Sequence, residues 1–477
     1  MSSIIRIVKN IGVTGISQFI IAILGFIFLI YVARYLGEAE YGIYSFAISF
    51  TSIFIIFSDI GISQLIVREI SRSKSSSNEY LVNASFLKII LSLITFALIF
   101  IVINLMGYPS IVKYIIYLFG IYTILSSFSQ MFAAFFQAFE KMEYVAILQL
   151  SEKIVLLVFG FIVLISDLGL LFLAYIYVIV GIFDILLGIF LILKKFGKQK
   201  SRVNYTIMKN LTIYSAPFGL NALFGVLFFR IDTVLLSLLK NDIAVGIYNA
   251  AYNPLLTLTM IISGMVSTSV YPVMSRHFVS SKNNIETFTI ISSKYLAIIG
   301  FPIAIFCFVF ADRIISIFYA GQFLQSILPF QILAIFIPIR MVSSISGTVL
   351  TSINKQGLRT FSVGSAALLN VTLNVALIHY LSYVGASIAT VISELFLYFS
   401  LIYFIDKYYK KIKLSPLLIK PCAAALIMGI FVFNLKGLNL IIVLITAVIV
   451  YLALLFLFKT FNEYDKYLFN EIIKWIK

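Results

Sequence analysis

Uninterrupted apolar runs longer than about 18 residues recur from Ile11 to Phe458, and each can cross a bilayer core of roughly 30 Å. Hydrocarbon offers no partners to backbone N–H and C=O groups, so continuous runs of this length fold as helices that satisfy themselves. Only 11% of the 477 residues are charged and 62% are hydrophobic, too little charge to cover a soluble domain of this size. The solvated stretches are short and leave no room for a soluble catalytic domain. Function must sit within the helices or their loops.

The runs place fourteen helices at 11–35, 41–67, 81–104, 111–139, 143–166, 168–193, 211–239, 244–275, 287–310, 324–352, 357–379, 383–405, 415–434 and 439–458. The first run is too long for a signal-peptide core and lacks a small-residue cleavage site, so it is expected to be retained. The net charge of +16 does not point to nucleic acid, because the basic residues form no surface domain. Twenty-four of the 35 Lys and Arg residues fall in loops on the N-terminal side, against five on the opposite side. Under the positive-inside rule, this asymmetry and the even helix count place both termini in the cytoplasm and the protein in the plasma membrane. After Lys459, the spacing of Phe461, Tyr464, Leu468, Ile472 and Trp475 predicts an amphipathic helix lying on the inner leaflet.

The chain repeats itself. A shift of 204 residues lays helix one on helix seven and aligns Gly42-Ile43-Tyr44 with Gly246-Ile247-Tyr248, each opening its second helix. Six helices per repeat make both halves enter from the same side, so the pseudo-twofold axis is expected along the membrane normal. The predicted organisation is an N-terminal six-helix lobe (1–200), a C-terminal six-helix lobe (201–410), and two extra helices with the tail (411–477). Prolines 217, 254, 272, 302, 329 and 338 fall in or at the ends of helices seven to ten, and the matching first-half helices have none. A proline frees a carbonyl and bends its helix, so the second half is predicted to be the more bent and mobile.

Charges inside an apolar helix cost at least about 2.5–3.5 kcal/mol each near mid-bilayer and mark partners or wet cavities. Lys88, Lys294 and Lys420 lie close to basic-side helix ends, where a long stem is expected to snorkel outward. Arg230 and Asp232 sit deeper in helix seven. Two residues apart, they diverge on the helix and each needs a partner from elsewhere. Arg340 lies near the centre of helix ten, out of snorkelling range of either surface. The acidic set is Asp59, Glu152 beside Lys153, Asp184 and Glu394. These carboxylates and Asp232 either pair with the embedded cations or carry a coupling sodium ion or proton. Asn10, Thr14, Ser17 and Gln18 form a polar stripe on helix one, matched by Asn221, Tyr248, Asn249, Tyr252 and Asn253 on helices seven and eight. Such stripes suit the walls of a cavity between two lobes.

No enzymatic constellation is present. His277 and His379 are in unrelated positions, and Cys307 and Cys422 read as core residues with neither disulfide nor metal spacing. There is no Walker loop, dinucleotide fingerprint, HExxH or GxSxG. Neither an enzyme nor a mechanism driven by the chain's own ATP hydrolysis is expected, and no cofactor is implied beyond sodium or proton coupling.

Several segments together carry a family resemblance. They are Tyr35-Leu36-Gly37 with Glu40-Tyr41-Gly42-Ile43-Tyr44, Asp59-Ile60-Gly61-Ile62, Val67-Arg68-Glu69-Ile70-Ser71-Arg72, and Val245-Gly246-Ile247-Tyr248 after Asp232. Asn370, Leu373-Asn374, Gly385-Ala386-Ser387, Ala389-Thr390 and Ser393-Glu394 follow. In this order the chain resembles, over nearly its whole length, the polysaccharide-biosynthesis flippases of the O-antigen type. Their superfamily includes multidrug-and-toxin exporters and lipid II flippases. The resemblance implies two six-helix lobes in a V, two extra helices and alternating access. It implies a cargo of oligosaccharide on a polyprenyl phosphate or pyrophosphate carrier, moved from the cytoplasmic to the outer face for surface polysaccharide or glycoconjugate assembly. Glycosyltransferases or a polymerase of the same pathway would be partners, alongside membrane lipid. A cationic cavity is implied too, which suits Arg230 and Arg340, since guanidinium grips phosphate and acidic-sugar oxygens bidentately. Arg340 matches none of these motifs and enters on depth alone.

Three other readings compete. A cation-coupled multidrug exporter of the same fold would want an acidic, aromatic cavity, against the two deep arginines. A glycan polymerase or glycosyltransferase would need a large catalytic outer loop, and the outer loops here are short. A scramblase-like or purely structural protein makes no specific demand.

Overall fold

The computed structural model describes residues 3–198, 201–280, 282–412, 415–461 and 465. Among these the chain is helical throughout, with no strand. The first half runs α1 (Ser3–Asp59), α2 (Ile62–Arg72), α3 (Ser77–Leu105), α4 (Ser110–Ala138), α5 (Met142–Ile165) and α6 (Gly169–Phe196). Then come α7 (Tyr205–Leu239), α8 (Asp242–Ser280), α9 (Lys282–Val309), α10 (Ala311–Tyr319), α11 (Ile327–Ala334) and α12 (Phe336–Ser352). The chain ends with α13 (Gln356–Tyr408), α14 (Ser415–Phe433) and α15 (Leu440–Leu457).

Two of these helices are hairpins of spans. The 57 residues of α1 break at Gly37, which adopts φ 70° and ψ −178°. Leu24 and Tyr44, on either side of the break, line one cavity of about 110 Å³; a straight helix would hold them roughly 30 Å apart. Likewise α13 breaks at Ser382, and beyond it Ser400 Oγ returns to within 2.9 Å of Ser362 Oγ. With α1 and α13 each counted as two spans and the bent pair α11–α12 as one, the described residues hold the expected fourteen, α14 being the shortest. This is a multi-pass membrane protein.

The differences lie at the ends of spans. The span read as 41–67 stops at Asp59, where Ile60 and Gly61 take φ 45° and 83°. The chain then restarts as α2, which buries Ile62, Leu65, Ile66 and Ile70 along one face. Close packing requires this glycine, since a Cβ at Gly61 would meet Gly219 N, Phe218 Cβ and Ser215 O of α7, each at 2.7 Å. Asp59 supports the restart, its Oδ1 accepting from Ser63 Oγ at 2.7 Å. The stretch 311–319, expected as loop, is α10. The tail helix predicted after Lys459 lies, apart from Phe461 and Asp465, outside the described residues.

Proline acts where expected in α11–α12, which bend by 42°. Pro338 has no N–H to offer the carbonyl four residues back, at Ala334, and the helix turns at Ile335 between them. First-half helices bend as well, through Gly37 and Gly61 rather than proline.

The chain forms two compact units. The first comprises 1–250, 318–323 and 367–386, and the second 251–317, 324–366 and 387–477. In the first, Phe135 and Phe136 of α4 pack with Ile66 and Ile70 of α2 and Leu148 of α5. In the second, Ala424, Ala425, Met428 and Val432 of α14 pack with Phe310, beside Ile298, Phe301 and Ile305 of α9. Ile441, Ile445, Ile449 and Phe456 of α15 stay exposed, as a lipid-facing surface requires.

The repeated tripeptide meets its own copy within the first unit. A Cβ on Gly42 would lie 1.8 Å from Asp242 O, and one on Gly246 would lie 2.0 Å from Glu38 O. Residues 242 and 246 follow 38 and 42 by the same 204-residue shift, so the contact is reciprocal, as between two copies of one surface. Glycine is needed at both positions because the backbones touch.

Two lysines expected to snorkel do not. Lys88 is fully buried, its Nζ 2.5 Å from Asp59 Oδ1, and Lys294 is 4% exposed, its Nζ 2.5 Å from Asp465 Oδ2. In each case a carboxylate distant in sequence reaches the ammonium, and pairing replaces escape to the surface. Lys420 is exposed, its Nζ donating to Lys459 O.

Candidate functional site

Beyond the Lys88–Asp59 and Lys294–Asp465 pairs, embedded polar residues among those described gather in three places, each within one unit. The first surrounds Asp232, fully buried on α7. Tyr248 of α8 donates its hydroxyl to Asp232 Oδ2 at 2.9 Å, and Asn374 of α13 donates Nδ2 to Oδ1 at 2.5 Å. Asn370 lies one helical turn before Asn374, and its Oδ1 is 3.1 Å from the same amide nitrogen. The Oδ1 of Asn374 is buried with no hydrogen-bond partner among the described residues. A carboxylate, two carboxamides and a phenol thus meet from three helices. Oxygen donors of this kind suit a hard cation such as sodium, and a carboxylate held this way can equally take a proton.

Arg230, two residues before Asp232, is half-buried and turned elsewhere, within electrostatic reach of the Tyr44 hydroxyl. The divergence expected from their spacing is what α7 delivers. Asn249, expected on a cavity wall, is instead packed inside the unit. It is fully buried, accepts from Thr233 Oγ1 at 3.2 Å and donates to Val245 O. In the second unit Tyr252, expected on the same wall, is 2% exposed with its ring against Phe336. Both sit on the face of α8 that carries the apolar core, and a buried amide or phenol stays there only when bonded or well packed. Of the helix-one stripe, Ser17 is buried and Gln18 is exposed, its Nε2 2.8 Å from Gln149 Oε1. The side chains of Asn10 and Thr14 lie outside the described residues. Asn221 is half-buried.

The second place is in the first-half helices. Glu152 Oε1 accepts from the Tyr122 hydroxyl at 2.9 Å and from Lys153 Nζ at 3.2 Å. Lys153 lines the 110 Å³ cavity with Tyr44 and Tyr177, whose hydroxyls are 2.6 Å apart. Asp184 stands nearby, 1% exposed, with Oδ1 unbonded among the described residues. Adjacent in sequence, Glu152 and Lys153 nonetheless meet, because the long lysine stem curls back.

The third place is in the second unit. Arg340 Nη1 on α12 is 3.6 Å from Glu394 Oε1, and Ser343 donates to that oxygen at 2.7 Å. Arg340 keeps 18% of its side chain exposed, while Glu394 keeps 2%. Arg359, at the start of α13, lies within electrostatic reach of Arg340 and donates to Thr351 Oγ1 at 3.1 Å. Its Nε would be 3.2 Å from a Cβ at Gly347, so that glycine lets the guanidinium lie on α12. Two guanidiniums within reach of one another, one of them part-exposed, make a setting for a phosphate or carboxylate oxygen. Sequence reasoning counted Arg359 only as a loop charge. An available signal was Gly347, near the end of the preceding helix.

The family described as polysaccharide biosynthesis protein matches residues 7–278. A curated relative from Haloferax volcanii, named "Probable low-salt glycan biosynthesis flippase Agl15", is 25% identical over 388 residues, 80% of each chain. Among solved structures, the lipid II flippase MurJ in an inward closed conformation superposes with a TM-score of 0.76 at 15% identity, covering 93% of this chain and 98% of its own. An inward-facing multidrug resistance MATE transporter gives 0.65 at 16% identity, covering 83% and 95%. These likenesses establish a shared fold.

Proposed function

The chain belongs to the polysaccharide biosynthesis protein family, and from that premise we propose that it is a flippase for a polyprenyl-(pyro)phosphate-linked oligosaccharide. It carries this cargo by alternating access from the cytoplasmic to the outer face, for surface polysaccharide or glycoconjugate assembly. The observation that carries the reading is Arg340, part-exposed on α12 beside Glu394, with a second guanidinium, Arg359, within electrostatic reach. The flippase name of the Haloferax relative supports it. A cation-carrying exporter has no use for surplus guanidinium in its path.

The transporter makes and breaks no covalent bond in its cargo. It sits in the plasma membrane with both termini cytoplasmic, as the loop charges require. Residues 1–200 and 201–410 are the two moving lobes, related by an axis along the membrane normal, and 411–477 is appended. Glycosyltransferases or a polymerase of the same pathway supply and consume the cargo. Of the acidic residues, Asp59 and Glu394 are set against embedded cations and hold the fold. Asp232 is the coupling seat, because the orphaned Asn374 oxygen beside it offers a further ligand to sodium.

The test is transport by the full chain in sealed vesicles, with a fluorescent lipid-linked oligosaccharide loaded on the cytoplasmic side. Sodium and proton gradients are imposed separately. Appearance of cargo on the far side, driven by one gradient, supports the reading. Transport of organic cations with no movement of lipid-linked sugar overturns it.

A further inference from the structure

The part of the molecule that meets an incoming cargo first is still unassigned. On the first unit, at the basic-side end of α3, two cavities of different character share one turn of helix. A groove of about 530 Å³ is walled by Leu81, Phe86 and Ile89 of α3, Phe132 of α4, and Ile185 and Ile189 of α6. Phe86, Ile89 and Ile189 are each more than a third exposed, so the groove opens sideways toward lipid. It runs from Leu81 to Ile89, eight residues or roughly 12 Å of helix. One leaflet of the hydrocarbon core is about 15 Å thick, so the groove covers most of one leaflet.

The second cavity, about 270 Å³, is mixed, with Arg68, Glu69, Tyr80, Asn210 and Tyr214 set beside Leu65, Ile207 and Leu211. Tyr80 belongs to this pocket and the next residue, Leu81, to the groove. Val203 of the groove and Ile207 of the pocket are likewise one turn apart at the entry to α7. Asn83 fixes that junction, donating to Arg202 O at 3.3 Å and accepting from Asn204 N at 2.7 Å. Arg68 Nε is 2.8 Å from Glu69 Oε1, and its guanidinium lies 5.7 Å from the centre of the Phe218 ring. Asn210 of α7 is exposed. Exposed Lys194, Lys195 and Arg202 flank the groove mouth.

We infer that this end of α3 is a lateral loading site for the lipid-linked saccharide, the groove taking the first isoprene units, the cationic rim the phosphate and the pocket the sugar. The inference rests on the function proposed above. In a bilayer an apolar groove alone selects nothing, because lipid tails are as apolar as its walls. Selection comes from the headgroup side. There a guanidinium held by Glu69, an exposed carboxamide and two tyrosine faces are grouped as sugar hydroxyls require, beside a cationic rim that suits phosphate. The order tail, phosphate, sugar is the order groove, rim, pocket. A phospholipid would use the groove and the rim but leave the pocket idle.

The experiment uses the full chain in lipid nanodiscs with two photoreactive probes. One is a polyprenyl-pyrophosphate-linked oligosaccharide with a diazirine near the pyrophosphate, and the other is phosphatidylglycerol with a diazirine in its acyl chain. The expected result is carrier-probe labelling of α3 between 81 and 89 and of α6 between 185 and 193, displaced by unlabelled carrier. Ile189→Trp should remove that labelling, and Ile449→Trp on exposed α15 should leave it. Arg68→Gln should weaken carrier labelling by about threefold to tenfold, the loss of one partly exposed charge-assisted hydrogen bond. The inference is overturned if the phosphatidylglycerol probe labels the same residues and carrier does not displace it. It is also overturned, with the flippase reading intact, if vesicles translocate the carrier while its probe labels other helices. Neither translocation nor labelling overturns both.

Discussion

Asp59 and Asp232 are carboxylates of the same unit, each near the end of an apolar run, and they are held in opposite ways. Asp59 faces the buried ammonium of Lys88 and caps the restart of the chain at α2. Asp232 takes a phenol and a carboxamide from two other helices, beside an amide oxygen left unbonded. The first arrangement sets a charge against its opposite, and the second gives it the dipoles of a phenol and a carboxamide. Burial alone therefore does not mark a functional acid in a membrane protein. The chemistry of its neighbours does.

The contrast can be broken most forcefully at Lys88. Lys88→Ala leaves Asp59 charged and buried, and should cost about 3–5 kcal/mol of stability, read as a large drop in detergent unfolding temperature. The double change Asp59→Leu with Lys88→Met should recover most of it, since an apolar pair of similar size replaces an ion pair at little cost. Full stability of the single variant would remove the structural reading of this pair.

Next in size is the response to sodium. If sodium joins Asp232, a hundredfold excess over its dissociation constant should stabilise the protein by about 2.7 kcal/mol. Asp232→Asn should abolish that increment, and Asp59→Asn should retain it whatever its own stability. An increment that survives in Asp232→Asn would place the ion elsewhere, with Asp184 and Glu152 the first positions to examine. At Gly42, a methyl would collide with Asp242 O. Gly42→Ala should cost about 1–3 kcal/mol by overpacking, and Gly246→Ala a similar amount if the contact is as reciprocal as its geometry. The smallest effect belongs to the lipid-facing surface, where Ile449→Leu should change unfolding by less than about 0.5 kcal/mol.

These sites were unequally legible in the sequence. The fourteen spans could be read because hydrocarbon demands long apolar runs, and the repeat because Gly42-Ile43-Tyr44 recurs at a matching place. The split at Gly61 was hidden, since the apolar run continues through it and only close packing against Gly219 reveals the need for glycine. Lys88 was misread because distance to a helix end can be counted along the chain, while Asp59, 29 residues earlier, cannot be seen to return to it. Asn249 and Tyr252 read as cavity-wall residues from polarity, and in the structure both are buried. Asn370 and Asn374 carried a legible signal as two carboxamides one turn apart, without indicating that Asp232 was their partner. Arg340 was found by depth, and Arg359 was missed because a charge near a helix start resembles any loop charge.

The central claim is that the embedded guanidiniums exist for an anionic cargo. Its most direct test is translocation of lipid-linked oligosaccharide by sealed vesicles holding Arg340→Ala, Arg340→Lys or Arg230→Ala protein at matched, folded levels. The account predicts loss of roughly a hundredfold or more for Arg340→Ala, comparable to removing a buried charge-assisted contact. Arg340→Lys should give only partial recovery, because a point charge lacks the fork. Unchanged rates in both alanine variants would contradict it.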